Sequence, residues 1–320
     1  MTTLEPPTLA AVRAARDRIA NIALRTPLVR LNVDDAPAEI YLKLENLQPI
    51  GSFKIRGAGN AILSATPDDL ADGVYTASAG NMAQGLAYAA RLRGVPCSSV
   101  VPDHAPQTKL AAIERLGATV VKVPFDDWWQ VILTHQFDGL PGRMIHPVSN
   151  TDVMAGNGTI ALEILEDLPE VDTIVIPYGG GGLSCGIAAA VKALKPDTKI
   201  LAAEVETAAP LAASFAAGKP CEVNYTPSFV DGCGSKGLLN EMWPLAKQLI
   251  NDSIVMSLDQ IANAIRTLAE RNRIIAEGAG AVSVAAALSG KAGQGTIACI
   301  VSGGNINPPT LATILGGRMP

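Results

Sequence analysis

The sequence predicts an α/β protein whose parallel sheets carry helices on both faces. Short runs rich in Val and Ile alternate with Ala-rich segments of helical period, the pattern of βαβ units. This strand–helix pairing repeats between Val74 and Val123 and resumes after an irregular stretch from Pro124 to Asn157. With 320 residues, 48% of them hydrophobic and 17% charged, the chain can bury a large core, as one large domain or two moderate ones. Strands are expected at Glu39 to Lys43, Val74 to Thr76, Ser98 to Val101, Thr119 to Val123, Thr173 to Ile176, Ile200 to Val205 and Thr296 to Val301. Helices are expected at Met82 to Leu92, Lys109 to Leu116, Ile160 to Asp167, Leu183 to Leu194 and Ile261 to Arg271. Two lobes with a cleft between them fit this order.

A formal net charge of -5 leaves no basic footprint for nucleic acid or for an anionic membrane, so a small neutral or anionic metabolite is the expected partner. Cys97, Cys185, Cys221, Cys233 and Cys299 have no C-x-x-C spacing, which excludes a zinc knuckle or a dithiol motif. They read as free thiols of a reducing compartment. The opening MTTLEPPTLAAVRAARDRIA lacks an apolar signal core, and no run of about 18 apolar residues follows. The expected location is the cytoplasm.

The segment IVIPYGGGGLSCGIAAAVKAL sets Gly179, Gly180, Gly181 and Gly182 between an apolar strand and an Ala-rich helix. Glycine lets the backbone take positive φ and approach a ligand, while the unpaired amides and dipole of the helix start favour a phosphate. Tight strand–helix packing is the alternative reading. Neither a G-x-G-x-x-G fingerprint nor a P-loop is present. Two further turns follow strands, at Ser78 to Asn81 and at Ser302 to Asn305, and either serves equally as a capped chain reversal. Three such turns at strand carboxyl ends suggest one site, because that edge of a parallel sheet is where ligands bind.

In KLENLQPIGSFKIRGAGNAI, Lys54 is a surface charge if taken alone. Its context changes that reading. SFKIRGA around Lys54, SAGN from Ser78, GGGGL from Gly179, AAE ending at Glu204, DGCGSKG from Asp231, AEGAGA around Glu277 and SGGN from Ser302 occur in one order. In that order the chain resembles the fold type II pyridoxal-phosphate enzymes, the family of threonine and serine dehydratases and serine racemase, over nearly its whole length. The resemblance implies a two-lobed α/β fold, with a large cofactor-binding domain of residues 1–72 and 149–320 and a small mobile domain of residues 73–148.

It also implies roles. Lys54 would hold pyridoxal 5′-phosphate as a Schiff base, with Phe53 against the pyridine ring, Asn81 on the ring hydroxyl, Ser302 at the ring nitrogen and Glu277 nearby. Gly179 to Gly182 with Leu183 would bind the phosphate, and Ser78, Ala79 and Gly80 the substrate carboxylate. A lysine attacks a carbonyl only when desolvation lowers its pKa from about 10.4. A neutral Ser302 hydroxyl does not enforce a protonated ring, and the weaker electron sink suits loss of a β leaving group. The expected activity is therefore dehydration and deamination of a β-hydroxy-α-amino acid to a 2-oxo acid and ammonia. A β-replacement enzyme, a racemase of the same fold and a non-catalytic phosphate-ligand binding protein are the alternatives.

Departures from the family pattern narrow the choice. Ala79 stands where a racemase carries a second acid–base serine, and Met82 where dehydratases commonly carry histidine. Val148 and Asn157 replace more polar or longer side chains, so the surroundings of the substrate β-substituent are expected to be less polar. Trp128 and Trp129 either pack a lobe or line an apolar pocket for a bulky group such as that of 3-phenylserine. No Arg or His cluster is evident beyond Arg56, which argues against a dicarboxylic substrate such as 3-hydroxyaspartate. Glu204 and Ala208 match two members of the family's cation site, but Pro210 takes the place of its aspartate, which leaves a monovalent ion such as K+ rather than a divalent one. His104, His135 and His146 read as structural, and Asp126 with Asp127 as a solvated or capping pair. The chain's end at Pro320 carries the expectation that no regulatory domain is appended, and family resemblance that of a homodimer.

Overall fold

The computed structural model describes residues 4–320, so residues 1–3 of the expected large domain lie outside the described residues. Its strands are β1 (Leu28–Arg30), β2 (Glu39–Lys43), β3 (Val74–Ala77), β4 (Cys97–Pro102), β5 (Thr119–Val123), β6 (Arg143–Met144), β7 (Thr173–Pro177), β8 (Lys199–Val205), β9 (Asp252–Met256) and β10 (Thr296–Ile300). They form a six-stranded sheet in the order β1-β2-β10-β7-β8-β9 and a four-stranded sheet in the order β5-β4-β3-β6. Every pairing is parallel except that of β1 with β2. The expected α/β class with two parallel cores is thus what the chain adopts. Continuous apolar strands such as Ile174, Val175 and Ile176, all fully buried, need cover on both faces, and Ala-rich helices supply it.

All seven expected strands are present, each within one residue at either end. The stretch from Pro124 to Asn157 is not irregular. It holds the helix Phe125–Thr134, whose first turn carries Asp126 and Asp127, and the start of the helix Thr151–Asp167. The latter runs nine residues further toward the N-terminus than its periodicity suggests, because Asn150 caps it by accepting from the Val153 amide at 2.9 Å. The helix expected at Ile261 to Arg271 runs as Leu258–Thr267 and then loosens into a π turn at Leu268–Asn272.

Below the sheet edge lies a buried ionic cluster. Arg56, 2% exposed, donates from Nε and Nη2 to Glu45 at 2.8 and 2.9 Å, and from Nη1 and Nη2 to Glu163 at 2.6 and 2.9 Å. Lys43 Nζ reaches the same Glu163 at 2.6 Å, and the Thr26 hydroxyl donates to Glu45 at 2.6 Å. Burial opposes the charge on Arg56, yet the two carboxylates hold its pKa above the ordinary value. Two cations and two anions cancel, so the cluster is neutral as a whole. It ties the helix Lys54–Ser64 to β2 and to the helix Thr151–Asp167. Arg56→Met would leave two carboxylates buried against one ammonium, and the expected loss is about 3–5 kcal/mol of unfolding free energy, measured by urea denaturation.

Candidate active site

The carboxyl ends of β3, β7 and β10 open on one cavity of about 440 Å³. Phe53, Lys54, Ser78, Ala79, Gly80, Asn81, Gly179, Gly180, Glu277 and Ser302 all line it. Gly181, Gly182 and Leu183 are buried as the tetraglycine turn enters its helix. The three small-residue turns therefore serve one site, as their places after the strands imply.

Lys54 begins the helix Lys54–Ser64. Gly51, in the left-handed region at φ 71°, turns the chain into it, and Phe53 N donates to Ser302 O at 3.0 Å while Gly304 N donates to Gly51 O at 2.9 Å. These bonds lock the lysine segment to the turn after β10. The Lys54 ammonium donates to Pro147 O at 3.0 Å and lies 5.2 Å from the centre of the Phe53 ring. Among the described residues no carboxylate is bonded to it, and burial lowers its pKa from 10.5 to about 8. Roughly a fifth of this amine is neutral near pH 7.4, far more than for a lysine at its ordinary pKa, and the neutral form is the one that attacks an aldehyde.

The tetraglycine turn offers donors. Among the described residues no carbonyl or side chain accepts from the amides of Gly180, Gly181, Gly182 or Leu183, and no side chain caps the helix Gly182–Leu194. Buried amides without partners at a helix start fit a phosphate dianion. Gly181 needs its φ of 99°, and a Cβ on Gly182 would come within 2.8 Å of Val148 O, so packing and anion binding are both written into the glycines. Asn157 does not face the substrate space. It is fully buried and donates from Nδ2 to Gly182 O at 3.2 Å, propping the turn from below.

Asn81 Nδ2 donates to Glu277 Oε1 at 2.8 Å, and Asn81 Oδ1 accepts from Asn305 Nδ2 at 2.8 Å. Burial, reinforced by Asp231, raises the Glu277 carboxyl to about 7. In the turn expected to hold a carboxylate, the Ser78 amide is taken by Val100 O and the Gly80 amide by Ser78 Oγ. The Ala79 amide keeps no partner among the described residues, and Ala79 lines the cavity. Asn305, the last residue of SGGN, is thus a site residue that sequence reasoning named only as part of a turn.

Other expectations need correction. Arg56 offers no cation to a substrate, since its guanidinium is spent on Glu45 and Glu163. His104 lines the cavity rather than serving the fold alone, and Trp128 and Trp129 line it too. Glu204 accepts from the amides of Leu211 and Ala212 at 2.9 and 2.8 Å and from Ser253 Oγ at 2.6 Å, while Ala208 N bonds Val205 O. Its carboxylate caps the helix Pro210–Ala217. Three helix and hydroxyl donors thus share the carboxylate that the resemblance assigns, with Ala208, to a monovalent cation.

The chemistry of Lys54 yields a pH dependence. Burial destabilises the ammonium, so the neutral amine accumulates as pH rises through about 8. The rate at which apoprotein takes up pyridoxal phosphate, followed by stopped-flow absorbance, is expected to rise through that pH and level off above it. Lys54→Ala is expected to remove the visible absorbance of the bound cofactor.

Comparison with known proteins agrees with this geometry. The model of the pyridoxal-phosphate dependent enzyme family matches residues 19–303. The chain is 39% identical over 305 residues to the L-threonine ammonia-lyase of Thermotoga maritima, covering 94% of this chain and 76% of that protein. It is 36% identical over 315 residues to a serine racemase of Oryza sativa subsp. indica, covering 93% of this chain and 90% of that one. The solved structure of maize serine racemase superposes with a TM-score of 0.89 at 34% identity, covering 98% of each chain. With six of the seven ordered motifs gathered on one cavity and the family model spanning most of its length, the chain belongs to the pyridoxal-phosphate dependent enzymes.

Proposed function

We propose that the chain is a dehydratase and ammonia-lyase of β-hydroxy-α-amino acids, of the threonine and serine type and extending to a bulky one such as 3-phenylserine. The observation that carries the reading is a desolvated Lys54 amine sharing a cavity with the unpaired Ala79 amide and with Ser302 in place of a carboxylate. Pyridoxal phosphate, when bound, supplies an electron sink for the charge left at Cα. The amides of Gly180 to Leu183 hold its phosphate, and the start of the helix Asn81–Arg93 holds the substrate carboxylate. Lys54, with a pKa of about 8, takes the Cα proton. Loss of the β-hydroxyl as water and hydrolysis of the resulting enamine give a 2-oxo acid and ammonia, with no net consumption of water.

Ala79 in the cavity wall brings no acid–base group, which favours elimination over racemisation. A β-replacement enzyme would use the same residues but requires a second nucleophile, and product analysis with added sulfide separates the two. In a non-catalytic phosphate-ligand binding protein Lys54 would make only an ion pair, and a visible cofactor absorbance abolished in Lys54→Ala separates the two.

An aromatic wall supports the bulky end of the substrate range. His104 and Phe125 stand 5.8 Å apart between ring centres, Phe125 and Trp128 5.6 Å, and Trp128 and Trp129 6.2 Å. Ile132 and Val148 complete an apolar end of the cavity. The proposal includes the small mobile domain of residues 73–148, which carries β3 to β6. Lys109–Asp231, His135–Glu241 and Asn81–Glu277 link it to the large domain of residues 1–72 and 149–320. It also includes a homodimer through the face where Leu24, Leu47 and Ile275 are half exposed. A cytoplasmic home is supported by free cysteines of which four are buried, with burial pushing the Cys97 and Cys185 thiols up to about 12. No helix among the described residues is long and apolar enough to cross a membrane. A monovalent cation such as K+ at Glu204 and Ala208 would share the Glu204 carboxylate with the Leu211 and Ala212 amides and the Ser253 hydroxyl.

A screen of 2-oxo acid release over threonine, serine, 3-hydroxyaspartate and 3-phenylserine in each stereochemistry tests the reading, and absence of product from all of them refutes it. Replacing Trp128 and Trp129 by Ala is expected to lower kcat/KM for 3-phenylserine by about tenfold or more while changing that for threonine little.

A further inference from the structure

One buried imidazole has no part in the reading above. His146, 3% exposed, follows β6 and precedes Pro147. Its Nε2 lies 3.1 Å from Ile132 O, and since a carbonyl only accepts, the proton sits on Nε2 and Nδ1 is bare. Three donors converge on that bare nitrogen: the Ser149 amide at 2.8 Å, the Ser149 hydroxyl at 2.8 Å and the Val148 amide at 3.2 Å. His135, at φ 60° where the helix Phe125–Thr134 ends, stacks on His146 with ring centres 4.1 Å apart. Its Nε2 reaches both Ser149 Oγ and Glu241 Oε1 at 3.2 Å, so the Ser149 hydroxyl can accept from His135 while it donates to His146. The groups facing the His146 ring are therefore His135, Ser149, the Ile132 carbonyl and, nearby, Lys54, with Glu241 beyond His135. Burial, then the neighbouring His135, lowers the His146 pKa to about 3, so the acceptor survives at any working pH.

The backbone gathered by this nitrogen is the backbone that touches the reaction centre. Pro147 O accepts from the Lys54 ammonium at 3.0 Å. Val148 lies under the tetraglycine turn, where a Cβ on Gly180 would come within 2.6 Å of its Cγ2.

We propose that His146 is a positioning residue: its bare Nδ1 binds the Val148–Ser149 amides into one turn, which sets the Pro147 carbonyl against Lys54 and the Val148 wall against the phosphate loop. The part of this concerning proton transfer rests on the lyase reading, whereas the part concerning cofactor seating does not. Its physical logic is that of a ligand oriented by the group behind it. Lys54 loses direction when its carbonyl partner moves, and the glycine amides lose their common focus when Val148 shifts.

His146→Asn and His146→Leu separate this role from packing. The Asn Oδ1 occupies the place of Nδ1 and accepts the same amides, whereas Leu fills the space with no acceptor. Pyridoxal phosphate affinity, from tryptophan fluorescence of apoprotein, is expected to fall about tenfold or more in His146→Leu and to return to within about threefold of wild type in His146→Asn. With a substrate deuterated at Cα, the isotope effect on kcat is expected to rise in the Leu variant alone. Wild-type affinity and isotope effect in a folded His146→Leu protein would overturn the proposal. Should that variant not fold, nitrogen-15 NMR of the wild-type holoenzyme decides: a proton on Nε2 and none on Nδ1 supports the assignment, and a protonated Nδ1 refutes it. If no β-hydroxy amino acid is turned over, the lyase reading falls while the affinity measurement still judges the role of His146.

Discussion

The site depends on a neutral, fully desolvated quartet of charges two residues beyond the reactive lysine. Arg56 grips Glu45 and Glu163 with paired bonds, and Lys43 closes the cluster on Glu163. Such a cluster gains little net stability over an apolar core of the same shape, since desolvation of four charges offsets most of their attraction. It does impose direction. Each guanidinium bond has one good geometry, so the helix that begins at Lys54 can seat itself against β2 and the helix Thr151–Asp167 in one way.

From that seat the remaining geometry follows. The Phe53 amide and the Gly51 carbonyl pair with the turn after β10, which brings Ser302 and Glu277 to the same edge as the amine. The helix Thr151–Asp167 carries Asn157 beneath the tetraglycine turn, so one element braces both the lysine segment and that turn. Among the described residues no carboxylate bonds the lysine, and desolvation lowers its pKa. Charge is thus neutralised where it orients the scaffold and left uncompensated where it is to react. The cleft between the sheets is crossed near its mouth by the Lys109–Asp231 pair, both of whose members line the cavity.

Much of this was legible in the residues. Strand runs such as Thr119–Val123 and the glycine-rich turns stand out because their chemistry is local: β-branched repetition in one case, backbone freedom in the other. The helix Lys54–Ser64 was not legible, since Gly57 and Gly59 weaken its propensity and its stability comes from packing against distant helices. Arg56 looked available for the same reason, its partners being separated from it by 11 and 107 residues. His146 and Asn305 escaped because their meaning lies in hydrogen bonds to atoms far along the chain or to backbone amides, which no spacing encodes. The capping bonds of Glu204 were not legible either, because Pro210 opens a helix that turns two amides onto its carboxylate.

The central claim is that one amine, held by the quartet and stripped of water, carries the cofactor. Reductive trapping with borohydride in the presence of pyridoxal phosphate, followed by peptide mass mapping, reads this directly. The account predicts a single phosphopyridoxyl label on the peptide containing Lys54. A label on any other lysine, with Lys54 unmodified, would contradict it.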